Sequence, residues 1–155
     1  MTSRSLFPLV LALIFAQSAL AHRLAVQGNG KLAIVAADGT IEWEMKWGGI
    51  HDIHVLENGN IMVQERNRRI VEIDKATQKV VWSYDCTAMN GNAGKRLEAH
   101  AFQPLANGHI MIAESGIGRI IEIDREGKIH HEIKLTVSKP SPHRDTRLAR
   151  KLANG

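Results

Sequence analysis

Residues 51–84, HDIHVLENGNIMVQERNRRIVEIDKATQKVVWSY, decide the fold, because the chain says them again over residues 100–133 as HAFQPLANGHIMIAESGIGRIIEIDREGKIHHEI. Asn58 and Asn107, Glu65 and Glu114, and Lys79 and Lys128 are each 49 residues apart, with one residue of slack where Arg69 and Arg119 are 50 apart. A step of about 40 to 50 residues, constant across separate segments and built of strands, is the signature of propeller blades.

Within the repeat the hydrophobic period is two. Ile53 and Val55 alternate with Asp52 and His54, and the runs 61–65, 69–74 and 80–84 follow at intervals that only tight turns can bridge. Each copy therefore reads as four short antiparallel strands. Asn58-Gly59 and Asn107-Gly108 are expected to fill two-residue hairpins in which both central residues take positive φ. Asn154-Gly155 occupies the same place one step further on.

Working outward, residues 22–46 fit a partial first blade, with strands at 24–27, 31–36 and 41–45 and turns at Gly28-Asn29-Gly30 and Asp38-Gly39. Residues 47–86 form the second blade and 87–135 the third. Residues 136–155 read as a linker and the first strand of a fourth blade, over 147–152, that stops inside its turn. The expectation is an all-β, partial propeller of about two and a half four-stranded blades, cut from a longer ring, since closed propellers have about four to eight blades. Self-assembly of a short subunit into a ring is the alternative.

The first residues stand outside this pattern. Arg4, the apolar run 6–16 and Ala19-Leu20-Ala21 before His22 read as a secretory signal over residues 1–21, and the run falls short of the roughly 20 apolar residues of a membrane span. The whole chain carries 20 Lys and Arg against 16 Asp and Glu, a net of +4. Losing Arg4 with the signal leaves a charge too mild to imply nucleic acid as a partner. The basic residues gather only over 134–151, where His143, Arg144, Arg147, Arg150 and Lys151 outnumber Asp145; this reads as a solvated connection rather than an anion-binding patch. Cys86 is the single cysteine, so no intramolecular disulfide is available, and it reads as a buried thiol.

Trp43 and Trp82 take the same repeat position, just after the turn into the fourth strand, in ADGTIEW and KATQKVVW. A large aromatic there closes the gap between neighbouring blades. His131 stands there in the third copy. The pattern D-x-x-G-x-x-x-W, with its variants VEIDKATQKVVWSYD and IEIDREGKIHHEI, resembles the tryptophan-docking repeat of pyrroloquinoline-quinone-like propellers. The resemblance covers most of residues 24–135 and implies a ring of seven or eight blades. Quinoprotein dehydrogenases of that group hold the quinone over a tryptophan floor with a calcium ion, often beside a vicinal disulfide. This chain has no adjacent cysteine pair and no calcium carboxylate that matches, so that cofactor is expected only if its site lies in further blades. No metal ligand set stands out in the sequence.

HDIHVLENGNIMV and HAFQPLANGHIMI are similar, more thinly, to the His-x-x-x-x-L-x-N-G-N-x-L blades of arylsulfotransferase-like propellers. That resemblance implies histidine and arginine near the central channel. His51 and His100 occupy equivalent places and Arg147 holds the third, so these residues are the candidate ligand-binding set, able to converge on an anion. The plainer reading is a histidine that bonds a neighbouring loop and recurs because the blade recurs. His54 has Gln103 as its counterpart and is not expected to bind metal; His130 and His131 point to opposite faces and cannot share an ion. Glu65 with Arg69 and Glu114 with Arg119 are expected as exposed cross-strand ion pairs. Gly116-Ile117-Gly118 lies in a hairpin with no helix beyond it, which rules out a phosphate loop. The functional expectation is an exported binding or scaffolding module, taking a small anionic or sugar-like ligand or a protein partner. The alternative is a fragment of a propeller enzyme, a quinone-dependent dehydrogenase or an arylsulfotransferase-like one.

Overall fold

A computed structural model describes residues 22–154; the expected signal over residues 1–21 lies outside the described residues. Eleven strands form three antiparallel sheets and no helix occurs among the described residues. The first sheet contains β1 (Leu24–Gly28), β2 (Lys31–Val35) and β3 (Ile41–Lys46). The second contains β4 (Ile53–Val55), β5 (Ile61–Glu65), β6 (Arg69–Asp74) and β7 (Lys79–Asp85). The third contains β8 (Glu98–Pro104), β9 (Ile110–Ser115), β10 (Arg119–Ile123) and β11 (Ile129–Lys134). Every strand pairs with its sequence neighbour, so each sheet is a meander. This is the partial propeller that the repeat requires.

Alternation along the middle sheet explains how the sheets stack. Ile61 and Val63 of β5 with Val71 and Ile73 of β6 pack against Leu32 and Ile34 of the first sheet. Met62 and Ile70, one residue out of phase, pack the other way, with Phe102, Ile112 and Ile121 of the third sheet. Because successive side chains leave a strand on opposite faces, one strand serves two interfaces.

Each interface is closed by a tryptophan from the outer strand of one sheet. The Trp43 indole N–H donates to Lys75 O of the second sheet at 2.9 Å, and that of Trp82 to Arg125 O of the third at 2.7 Å. Lys75 and Arg125 are equivalent turn positions 50 residues apart, so the same docking bond is made twice, one blade further round. The Arg125 guanidinium also lies over the Trp82 ring, 5.0 Å from its centre, and bonds Glu72 at 2.6 Å.

Two turn expectations are corrected. Asn58-Gly59 and Asn107-Gly108 do not form a turn with two positive φ angles: Gly59 and Gly108 alone have them, both at 83°. The Gly59 and Gly108 amides donate back to Leu56 O and Leu105 O. This is the longer loop in which a type I turn ends on a left-handed glycine. The turn with two positive φ angles occurs at Asn29-Gly30 and, without glycine, at Arg66-Asn67.

The strand expected over residues 147–152 is also not formed. A strand exists through its ladder, and among the described residues this segment pairs with no other strand. Side chains pin it instead: Arg150 grips Asp52 at 2.7 and 2.8 Å, and Lys151 reaches Glu122 at 2.9 Å. The basic stretch is thus not simply solvated.

Glu114 and Arg119 form the expected cross-strand pair, as Glu65 and Arg69 do. Yet Glu114 is fully buried, and its partners include Asn92 of the β7–β8 connection. Cys86 is a buried free thiol, pushed well up by burial with Glu114 and Asp85 nearby.

Two measurements on the full-length protein check this account of the packing. Trp82→Phe, which removes the indole bond together with part of the ring's packing, is expected to lower unfolding stability by about 1–2 kcal/mol, and Trp82→Ala by about 3 kcal/mol in urea melts. Burial alone would raise the Glu122 carboxyl, but hydrogen bonds from His109, Lys151 and Asn107 outweigh it and hold it at about 2 against an ordinary 4.5. A depressed carboxyl stabilises above its unfolded value, so this contribution is whole above about pH 4.5 and fades as the pH falls toward 2. Glu122→Gln should flatten the pH dependence of the urea midpoint across that window.

Candidate functional site

The inner edges of the second and third sheets, β4 and β8, lie side by side, and there the candidate residues meet. The His51 and His100 rings stand edge to face with centroids 4.6 Å apart. The Arg147 Nη2 donates to His51 Nδ1 at 3.2 Å. The three equivalent positions of successive copies therefore form one cluster. His51 precedes β4 and is exposed, whereas His100 lies within β8 with no exposed surface.

What aligns the two histidines is Gln64 on β5, a residue the repeat does not flag because Ala113 stands in its place in the next copy. Its side chain is fully buried. Its Oε1 accepts the backbone amides of His51 at 3.1 Å and Asp52 at 2.8 Å, and its Nε2 donates to His100 O. Trp47 extends the chain of bonds, its indole donating to Gln64 O at 2.9 Å. Asp52 is the second residue missed, with Ala101 as its counterpart. Its buried carboxylate accepts from the Phe102 amide and from Arg150, tying the second sheet to the third and to residue 150. The signal for Gln64 was a polar residue in phase with apolar Met62; Asp52 gave none, since it lies on the polar phase of its strand.

The connection after β11 supplies two further members. His100 Nε2 donates to Pro142 O at 3.1 Å, which is the loop contact of the plainer reading. His143 lies 5.6 Å from His100, ring to ring, and its Nδ1 is 3.2 Å from Glu98 Oε2. The same carboxylate oxygen is 3.0 Å from His100 Nε2. Gly116, at φ 88°, lets this loop approach: a β-carbon there would come within 2.7 Å of Arg96 O and 2.8 Å of the Pro142 ring. Burial lowers the His51 imidazole, the neighbouring Arg147 guanidinium and His143 ring lower it further, and Glu98 opposes them. Burial likewise dominates at His100, with the Pro142 bond opposing it and His51 and Arg147 adding to it. The cluster thus presents two imidazoles, His51 and His100, held below their ordinary value, beside the Arg147 guanidinium and the Glu98 side chain.

His54 has a structural place, with Nε2 donating to Phe102 O at 3.0 Å and its ring against Phe102. His130 and His131 do not meet; His130 bonds Asp124 at 2.8 Å and stacks on His109. A cleft of about 520 Å³ between the β4–β5 turn of the second sheet and the β8–β9 turn of the third, lined by His54, Leu56, Pro104 and Arg125 among others, lies apart from the cluster. The residues do not fit a quinone with calcium. Among the described residues Trp43 and Trp82 are committed to blade docking, Cys86 is solitary, and the buried carboxylates Asp52, Glu72, Glu114 and Glu122 are each matched to a basic side chain.

Stacked meanders of three, four and four strands with docking tryptophans define a β-propeller arc. Residues 28–151 match the family model described as outer membrane protein assembly factor BamB, and the chain belongs to that family of PQQ-like repeats. No curated protein matches the sequence. Among solved structures it is similar to a protein of unknown function from Bacteroides caccae, 20% identical with a TM-score of 0.68, covering 87% of this chain and 48% of that one. It is also similar to BBS1N, solved in complex with ARL6DN, at 14% identity and a TM-score of 0.53, over 80% of this chain and 38% of that one. These likenesses show the fold, and the chain spans about half or less of the length of each. Among the described residues no helix is long and apolar enough to cross a membrane.

Gln64→Leu tests how the cluster is held. It strands one buried and one part-buried amide and a carbonyl, and is expected to cost about 2–4 kcal/mol in urea melts and to move the imidazole NMR resonances of both His51 and His100.

Proposed function

We propose that this chain is part of an exported propeller module that binds a small anionic group where the innermost strands meet, with His51, His100 and Arg147 as its contacts. The observation that carries the reading is the convergence of one repeat position from three successive copies, which puts Arg147 Nη2 at 3.2 Å from His51 and the two rings at 4.6 Å. A guanidinium is a fixed fork of donors suited to sulfate, phosphate or carboxylate. With His51 Nδ1 accepting from Arg147, its Nε2–H adds a donor, buried His100 backs the His51 ring, and exposed His51, His143 and Arg147 leave the cluster open to solvent.

Export rests on the N-terminal pattern of residues 1–21. A protein partner presenting a carboxylate would meet the same chemistry, and the family's description as an assembly factor favours including one. Sulfuryl transfer is the second reading, because the histidines and Arg147 that bind an anion are the types such a reaction needs.

Calorimetric titration of the full-length protein with sulfate and with phenyl sulfate tests this. Saturable binding is expected, weakened at least about tenfold by Arg147→Ala or His51→Ala, with unfolding midpoints unchanged because both residues are exposed. Binding that ignores both substitutions removes them from the site. Release of phenol from phenyl sulfate, lost in the same variants, would move the assignment from binding to transfer.

A further inference from the structure

We infer that Glu98, His100 and His143 form a binding site for a divalent transition cation of the zinc type. The inference goes beyond the anion reading and does not depend on it. One donor atom from each of the three residues lies within 4.8 Å of the other two. Glu98 Oε2 is 3.0 Å from His100 Nε2 and 3.2 Å from His143 Nδ1. Zinc bonds of about 2.0–2.1 Å in a tetrahedron put neighbouring ligand atoms about 3.3–3.4 Å apart, so two of the three edges already have nearly the length a metal would impose. Two imidazoles and a carboxylate are a donor set that suits zinc, copper or nickel far better than calcium or magnesium.

The cluster is placed as a binding site rather than a packing contact. Two of its members come from the inner strand β8 and the third from the connection after β11, so the site spans a blade and the chain leaving it. His100 is buried and fixed, Glu98 is partly exposed, and His143 is exposed, which gives a rigid floor and an open mouth. The ligating atom of His100 is Nε2; its Nδ1, on the other side of the ring, is buried with no hydrogen-bond partner.

In the unliganded protein Nε2–H of His100 points at Glu98 and at Pro142 O, and a metal takes the place of that proton. The proton that stays on the ring then sits at Nδ1, which faces no protein acceptor. Missing support of that kind weakens metal sites by roughly 10–100-fold, so the affinity expected is moderate. Arg147, which donates to His143 O at 2.9 Å, opposes the incoming charge, and Glu98 offsets it. Three protein ligands leave a coordination position to solvent, on the side where Arg147 would hold an anion.

The test is titration of Zn2+ alone into chelator-stripped, full-length protein. One equivalent is expected to bind. Glu98→Gln and His143→Ala should each weaken it at least about tenfold, while His130→Ala, in the remote His109 and His130 pair, leaves it unchanged. Co2+ in place of Zn2+ should give the intense visible absorption of a four-coordinate ion. Melts of the metal-free variants show that they fold. Absence of saturable binding overturns the site, as does binding that survives Glu98→Gln combined with His143→Ala or that falls equally in His130→Ala. Sulfate titrations in the presence of EDTA keep the two readings separate: sulfate binding without zinc binding sinks only the metal site, and the reverse sinks only the anion site.

Discussion

A tryptophan that donates its indole N–H to the neighbouring sheet sets the geometry of everything else. Trp43 and Trp82 make that bond to equivalent carbonyls, of Lys75 and Arg125, and so fix the step from one sheet to the next. Apolar burial supplies the attraction but is indifferent to small rotations, whereas a buried donor meets its acceptor in one orientation. With the step fixed, residues one repeat apart recur at a fixed displacement. That is why side chains at positions 51 and 100, far apart in sequence, reach one another; Arg147 joins them because Arg150 and Lys151 pin its segment beside the same sheets.

Repetition has a consequence for charge as well. Glu72 and Glu122 are buried at matching places behind the Asn-Gly turns, each held by turn asparagines and by a cation from the next stretch of chain, Arg125 in one case and Lys151 in the other. The second and third sheets each bury a carboxylate that the chain following them neutralises. Removing only one partner leaves an uncompensated charge, which makes the order of the sheets specific as well as stable.

The architecture was legible because it is recorded twice. Strand alternation, turn positions and the docking tryptophans recur at a constant interval, and tertiary packing had nothing to override. The turn type was not legible, since Asn-Gly serves two loop lengths and the strands' twist chooses between them. The fate of residues 147–152 was not legible either, because extended backbone becomes a strand only beside a partner.

The site was half legible. His51, His100 and Arg147 were found because they share a repeat position, and they do come together. Gln64 and Asp52 were missed for the opposite reason: alanines replace them in the next copy, and a reading built on likeness passes over what differs. Glu98 and His143 lie outside the matched stretch altogether. The polar residues that break a repeat, set on its inner edge, are where a generic blade acquires a particular surface.

The central claim is that blade docking holds equivalent residues of successive repeats in contact. An imidazole-to-imidazole nuclear Overhauser effect between His51 and His100 in the folded, full-length protein measures it most directly. With ring centres 4.6 Å apart, a strong cross-peak is predicted. Well-resolved ring resonances with no cross-peak between them would contradict it.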